Sequence, residues 1–204
     1  MSKKRGNGKS GLPSDFDNEI GASVNVFIGG SRAISKLNAV IRARLDGLME
    51  RGCTIFIGDA NGADKAVQQY LATCRHSNVI VFCMKDCRNN VGSWPTRNVE
   101  PPSDRKDFTY YAAKDAVMSR EAKCGVMFWD GRSKGTLHNM LNLIHAGKRT
   151  LVYFAPTKDF HVLANEQDLQ GLLARCEKRY LDTAARALGL KTSLSDPSLP
   201  LALH

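Results

Sequence analysis

Apolar residues follow two alternating rhythms along the chain. Short unbroken runs at 24–28, 54–57, 79–84, 125–129 and 150–154 read as strands buried on both faces. Between them, apolar positions recur at helical spacing. Leu37, Val40, Ile41, Leu45 and Leu48 form one stripe, and Ala63, Ala66, Val67, Tyr70, Leu71 and Cys74 form the next. A third helix is expected over 107–122, with Asp107 as its cap, and a fourth around Leu137, Met140, Leu141 and Ile144. Five strands alternating with helices predict an α/β fold: one three-layer domain around a five-stranded parallel sheet, with right-handed crossovers.

The pattern weakens at both ends and once in the middle. Residues 1–22 are rich in Gly, Ser, Lys and Asp and predict a flexible basic arm. The domain proper spans 23–156. Residues 157–190 read as a helical extension, with one amphipathic helix over 165–189, and 191–204 as a tail. The stretch 85–106 is polar, carries three prolines and reads as a long loop of the lid kind. The segment GNGKS at 6–10 imitates part of a phosphate-binding P-loop, but no strand precedes it and the first glycine of that motif would fall at Lys3.

Composition narrows the class. A chain of 204 residues with 43% hydrophobic and 24% charged residues is that of a globular protein with a sizeable core. No apolar run reaches membrane-spanning length, and the N-terminal residues lack the apolar stretch of a secretory signal. Six cysteines occur without a CxxC pair, which fits a reduced, cytoplasmic protein, and Cys83 and Cys87 lack a second ligand pair at zinc spacing. No metal and no cofactor is expected. The net charge of +9 favours anionic partners such as nucleotides or nucleic acid.

The chemistry concentrates where strands end. Gly29-Gly30-Ser31-Arg32 follows the first strand, Gly58-Asp59-Ala60-Asn61-Gly62-Ala63-Asp64 the second, and Asp130-Gly131-Arg132-Ser133-Lys134-Gly135-Thr136 the fourth. In an open α/β sheet, ligands bind beyond the carboxyl ends of the strands, where strand order reverses. With the order 3-2-1-4-5, the first and third of these loops flank one crevice and the second lies beside it. Helix N-termini there offer N–H groups and a positive dipole to a phosphate, and Arg32 adds a charge. Asp59, Asn61 and Asp64 suit sugar hydroxyls or a base. The expected ligand-binding set is therefore Gly29, Gly30, Ser31, Arg32, Gly58, Asp59, Ala60, Asn61, Gly62, Asp64, Asp130, Gly131, Arg132, Ser133, Gly135 and Thr136.

VFIGGSR (26–32), IGDANGADKAVQQYLA (57–72) and GRSKGTLHNMLNLIHAGKRTLVY (131–153) resemble the SLOG superfamily. This Rossmann-like group includes the DNA-processing protein DprA and the cytokinin-activating "lonely guy" enzymes, and the match is to its YspA-like branch. The resemblance implies binding of a nucleotide or nucleotide-derived ligand, as sensor or carrier. It also implies two alternatives: an N-glycosidic hydrolase of nucleoside phosphates, and a single-stranded nucleic-acid binder. The "lonely guy" members carry a glutamate three residues after the Gly-Thr threonine, where this chain has Asn139. KDAVM (114–118) sits where the branch carries an Arg-Asn-xx-Met element, so Asp115 replaces an asparagine. Hydrolysis would need another carboxylate, for which Asp59, Asp64, Asp115 and Glu121 are the candidates. The apolar faces of the fourth and final helices, with the family resemblance, point to a homodimer or higher homo-oligomer.

Overall fold

The computed structural model describes residue 16, residues 21–101, 105, 107–177 and 180. The core is a single mixed sheet of seven strands in the order β4-β3-β2-β1-β5-β6-β7. The five expected strands are its centre: β1 (Asn25–Gly30), β2 (Thr54–Gly58), β3 (Val79–Cys83), β5 (Cys124–Trp129) and β6 (Thr150–Phe154). All pair in parallel. Their neighbours match the order 3-2-1-4-5, and chain direction reverses its drift between β1 and β5.

Two edge strands correct the five-strand expectation. β4 (Thr96–Asn98) adds in parallel to β3 from within the predicted loop at 85–106. Its three residues are all exposed, so no apolar signal marks it. β7 (Asp159–Leu163) runs antiparallel to β6, joined by a tight turn in which Lys158 adopts a positive φ of 59°. It occupies the start of the predicted helical extension. The helix there is also shorter than 165–189: α5 spans Glu166–Leu173, while the expected positions 178, 179 and 181–189, like the tail at 191–204, lie outside the described residues.

Alternation along the strands splits the core into two layers. Val26, Ile28, Ile55, Ile57 and Val126 face α1 (Ala39–Glu50) and α2 (Ala63–Thr73). Phe27, Phe56, Met127 and Val152 face α3 (Phe108–Glu121), α4 (Lys134–His145) and α5. Asn38, Asp107, Ser133 and Asn165 cap four of the helices, each side chain accepting a backbone N–H. Most of the predicted arm (1–22) lies outside the described residues, and Phe16 is buried in the first layer. Among the described residues, no helix is long and apolar enough to cross a membrane.

Candidate functional site

A crevice of about 640 Å³ opens at the carboxyl edge of the sheet, across the reversal between β1 and β5. Gly29, Gly30, Ser31 and Arg32 form one wall, and Asp130 with Arg132–Thr136 forms the facing one. Residues of α3 close the third side: Phe108, Tyr111, Lys114, Asp115 and Met118. Asp130 Oδ1 accepts from the N–H groups of Arg132 (3.1 Å) and Ser133 (2.8 Å), which shapes the turn into α4. Ser133 then caps the helix through Thr136 N (3.3 Å). The positive end of the α4 dipole therefore faces the crevice.

The second loop behaves differently. Only Ala60 and Asp64 of GDANGAD reach the crevice; Gly58, Asp59, Asn61 and Gly62 do not line it, and neither does Gly131 of the third loop. Asp59 is 1% exposed and faces the segment after β3. Its carboxylate accepts from Arg88 Nη2 at 2.6 Å, Arg88 Nε at 3.1 Å and Arg88 N at 3.1 Å. Burial pushes Asp59 up, yet these bonds and the charge of Lys114 hold it below the ordinary carboxylate range. Asn89 Nδ2 donates to Asp59 O (2.7 Å) and Asn61 Oδ1 (3.2 Å). Gly62 has a φ of 84°, and a Cβ there would overlap the Arg32 backbone. Ala63 N donates to Ser31 O (3.1 Å), so the second loop is closed onto the first. Gly62 serves packing between loops, and Asp59 holds Arg88, whose side chain does line the crevice.

The buried inner wall carries the charge. Lys114, 3% exposed, donates to Asp115 Oδ1 at 2.7 Å. Burial opposes its charge, but Asp115 and Asp64 together raise its pKa. Asp64 lies on the other side, 7% exposed, and burial pushes its carboxyl to about 7 against the pull of Lys114. Gly58 leaves the room these two groups occupy, since a Cβ there would meet Asp64 Oδ2 and Lys114 Nζ. Asp115 Oδ2 accepts from Asn139 Nδ2 at 3.1 Å, joining α3 to α4. Asp115 and Asn139, the two positions at which this chain differs from the motifs it resembles, thus touch each other. His138 adds an aromatic edge against Phe108, with ring centroids 5.3 Å apart, and burial lowers its pKa although Asp115 opposes this.

Of the four carboxylate candidates, Asp64 and Asp115 reach the crevice and Asp59 stands behind it. Glu121 lies outside, at the end of α3, where its Oε1 accepts from Arg97 Nη2 at 2.8 Å. Lys114, Arg88, Tyr111 and Phe108 were missing from the expected set. Nothing near them in the sequence resembles a glycine-rich turn; α3 brings three of them to the site and Asp59 the fourth. Cys83 and Cys87 form a disulfide, a departure from six free thiols. Both sulfurs and the Asp59 carboxylate come within 4.8 Å of one another. With the sulfurs bonded together and the carboxylate taken up by Arg88, this group does not suit a metal ion.

No protein-family profile and no curated protein sequence matches this chain. Among solved structures, DNA processing protein A from Helicobacter pylori superposes with a TM-score of 0.53 at 13% identity, covering 82% of this chain and 81% of that one. The chain shares that protein's Rossmann-like α/β fold. The neighbour's structure is described for its single-stranded DNA binding mode.

Proposed function

We propose that the crevice binds a nucleotide or nucleotide-derived ligand. One observation carries this reading: cationic groups and aromatic faces converge on a single crevice at a helix N-terminus. Arg32, Arg88, Arg132 and Lys134 stand at its exposed rim. Tyr111 and Phe108 lie beside them, Phe108 half exposed at 49%, and the Arg88 guanidinium sits 4.8 Å over the Tyr111 ring. The rim suits a phosphate at the start of α4, and the aromatic side suits a base. Calorimetric titration with a panel of nucleoside mono- and diphosphates tests this, beside mass spectrometry of any ligand released on denaturation. Arg32→Ala should cost about 1.5–3 kcal/mol of binding, the range for a hydrogen bond to a charged group. The melting temperature should stay unchanged. Unaltered affinity in that variant would remove the phosphate from this wall.

A second reading, single-stranded nucleic-acid binding, draws support from the fold shared with the Helicobacter protein and from the net charge of +9. It predicts affinity for oligonucleotides that falls steeply with salt. A hydrolytic reading draws support from Asp115, which keeps a carboxylate beside Asn139 in the crevice. It predicts release of free base from nucleoside phosphates, abolished by Asp115→Asn.

A further inference from the structure

Arg88 reaches the crevice from a segment with two anchors. One is Asp59, whose carboxylate accepts from Arg88 Nη2 at 2.6 Å, Nε at 3.1 Å and the backbone N at 3.1 Å. The other is covalent: Cys87, the residue immediately before Arg88, is bonded to Cys83 at the end of β3. The bridge spans a sequence separation of only 4. Closing so short a loop constrains the unfolded chain little, so the bond acts locally rather than as a staple of the whole fold. Its two ends differ in access. Cys83 is 0% exposed and fixed in the sheet, whereas Cys87 is exposed and open to an attacking thiolate. Each sulfur also has a carbonyl positioned to take a thiol proton. Val81 O lies 3.9 Å from Cys83 Sγ, and Asn89 O lies 3.5 Å from Cys87 Sγ. The fold therefore accommodates the reduced pair as well as the bonded one.

We infer that Cys83–Cys87 is a reversible thiol–disulfide exchange site that controls how firmly Arg88 is held at the crevice, and with it the affinity of the crevice for its ligand. For that consequence the inference rests on the nucleotide-binding reading, to which it adds a redox condition. The co-reactant is a dithiol reductant. One of its thiolates attacks Cys87 Sγ, the Sγ–Sγ bond breaks, and Cys83 leaves as a thiolate that takes up a proton. The second thiolate of the reductant then attacks the mixed disulfide and frees Cys87, which is protonated in turn. Two electrons and two protons pass to the protein, and the reductant is left as a disulfide. Two thiol sulfurs cannot remain at bonding distance. Cys83 is locked in β3, so the displacement falls on Cys87 and on the residue next to it. Both sulfurs stand within 4.8 Å of the Asp59 carboxylate, so the movement also bears on the second anchor of Arg88.

The full chain treated with oxidised glutathione, compared with the same protein treated with dithiothreitol, tests this. Peptide mass spectra verify the bond by the loss of two hydrogens across Cys83 and Cys87. Hydrogen exchange over 85–90, without nucleotide, reads the hold on Arg88, whose backbone N–H is bonded to Asp59. Exchange there should be at least about tenfold faster after reduction, and unchanged in the central strand β6. Calorimetry with AMP and GMP should show affinity about three- to tenfold lower in the reduced form, short of the full loss of a charged hydrogen bond. Cys87→Ser should match the reduced protein in both readouts and be indifferent to dithiothreitol, with a thermal melt to verify that it is folded. A pair that stays reduced under oxidised glutathione, or a bond that resists dithiothreitol in the folded protein, would overturn the inference. Equal exchange in the two forms would overturn it too. Faster exchange with equal affinity would overturn control of the crevice while leaving nucleotide binding intact. If neither form binds AMP or GMP, the nucleotide reading fails on its own, and the exchange rates still decide whether the bond holds Arg88.

Discussion

The loops after β2 and β5 look alike in sequence and do opposite work. Each carries two glycines, two small hydrogen-bonding side chains or more, and leads into a helix. In GDANGAD the polar groups are spent on the protein itself. Asp59 is paired with Arg88, Asn61 with Asn89, and Gly62 is pressed against the Arg32 backbone. In the loop at 130–136 the bonds of Asp130 and Ser133 shape the turn, the exposed Arg132 is paired with Glu177 at 3.2 Å, and Gly135 has open space where a Cβ would stand. Composition therefore does not distinguish a brace from an open wall of the crevice. What distinguishes them is which groups other segments take up: Arg88 and Asn89 engage Asp59 and Asn61 of the second loop, whereas Glu177 engages the exposed Arg132 of the third and leaves the start of α4 open.

The comparison can be broken at Asp59. Asp59→Ala should leave Arg88 without its partner and loosen the whole bracing segment, costing about 3 kcal/mol of stability. The urea midpoint measures it. A loss below about 1 kcal/mol would mean that the second loop is not a brace.

Paired glycine substitutions sharpen the contrast. Gly62→Ala faces both a positive φ and overlap with the Arg32 backbone, and should cost roughly 2 kcal/mol or more. Gly135→Ala should change stability by less than about 0.5 kcal/mol, or improve it, because helix propensity favours alanine. Its methyl group would stand in the crevice, so nucleotide affinity should fall instead. Comparable melting temperatures for the two variants would erase the distinction.

Proton linkage gives a third test. The raised pKa of Asp64, about 7 against an unfolded 3.8, means that the folded state binds its proton more tightly. Its contribution to stability is therefore most favourable below about pH 4 and declines as pH rises toward 7. Asp64→Asn lacks this penalty. Relative to wild type, the variant should gain on the order of 1–2 kcal/mol between pH 5 and pH 8, read from urea midpoints at the two values. A pH-independent difference would show that Asp64 stays ionised beside Lys114. A smaller loss is expected at Ser133. Ser133→Ala removes the cap of α4 and should cost about 1 kcal/mol, with a modest loss of nucleotide affinity as the first turn frays.

Part of the crevice lining was readable from the strand ends. Gly29–Arg32 and Arg132–Thr136 line the crevice as the loop argument expects, because any parallel strand must deliver its following loop to that edge. The rest depended on packing. Lys114 sits mid-helix among alanines and looks like a solvated lysine until the fold buries it between Asp64 and Asp115. Asp115 meets Asn139 across 24 residues of sequence, and Asp59 meets Arg88 across 29. No local pattern encodes such pairs.

From the sequence alone follow the five buried strands and the helices between them, because continuous apolar runs alternating with 3.6-residue stripes are what a parallel sheet covered on both faces requires; the strand order itself is fixed by the fold, since more than one doubly wound order satisfies that alternation. The edges of that sheet follow only from tertiary structure. Thr96–Asn98 has no apolar face, and Asp159–Leu163 is short and half exposed, so each becomes a strand through the hydrogen-bonding edge that a neighbour offers. The same holds for the crevice wall. Which polar side chains stay available to a ligand is decided by which of them other segments have already bonded, and that competition exists only once the chain is folded.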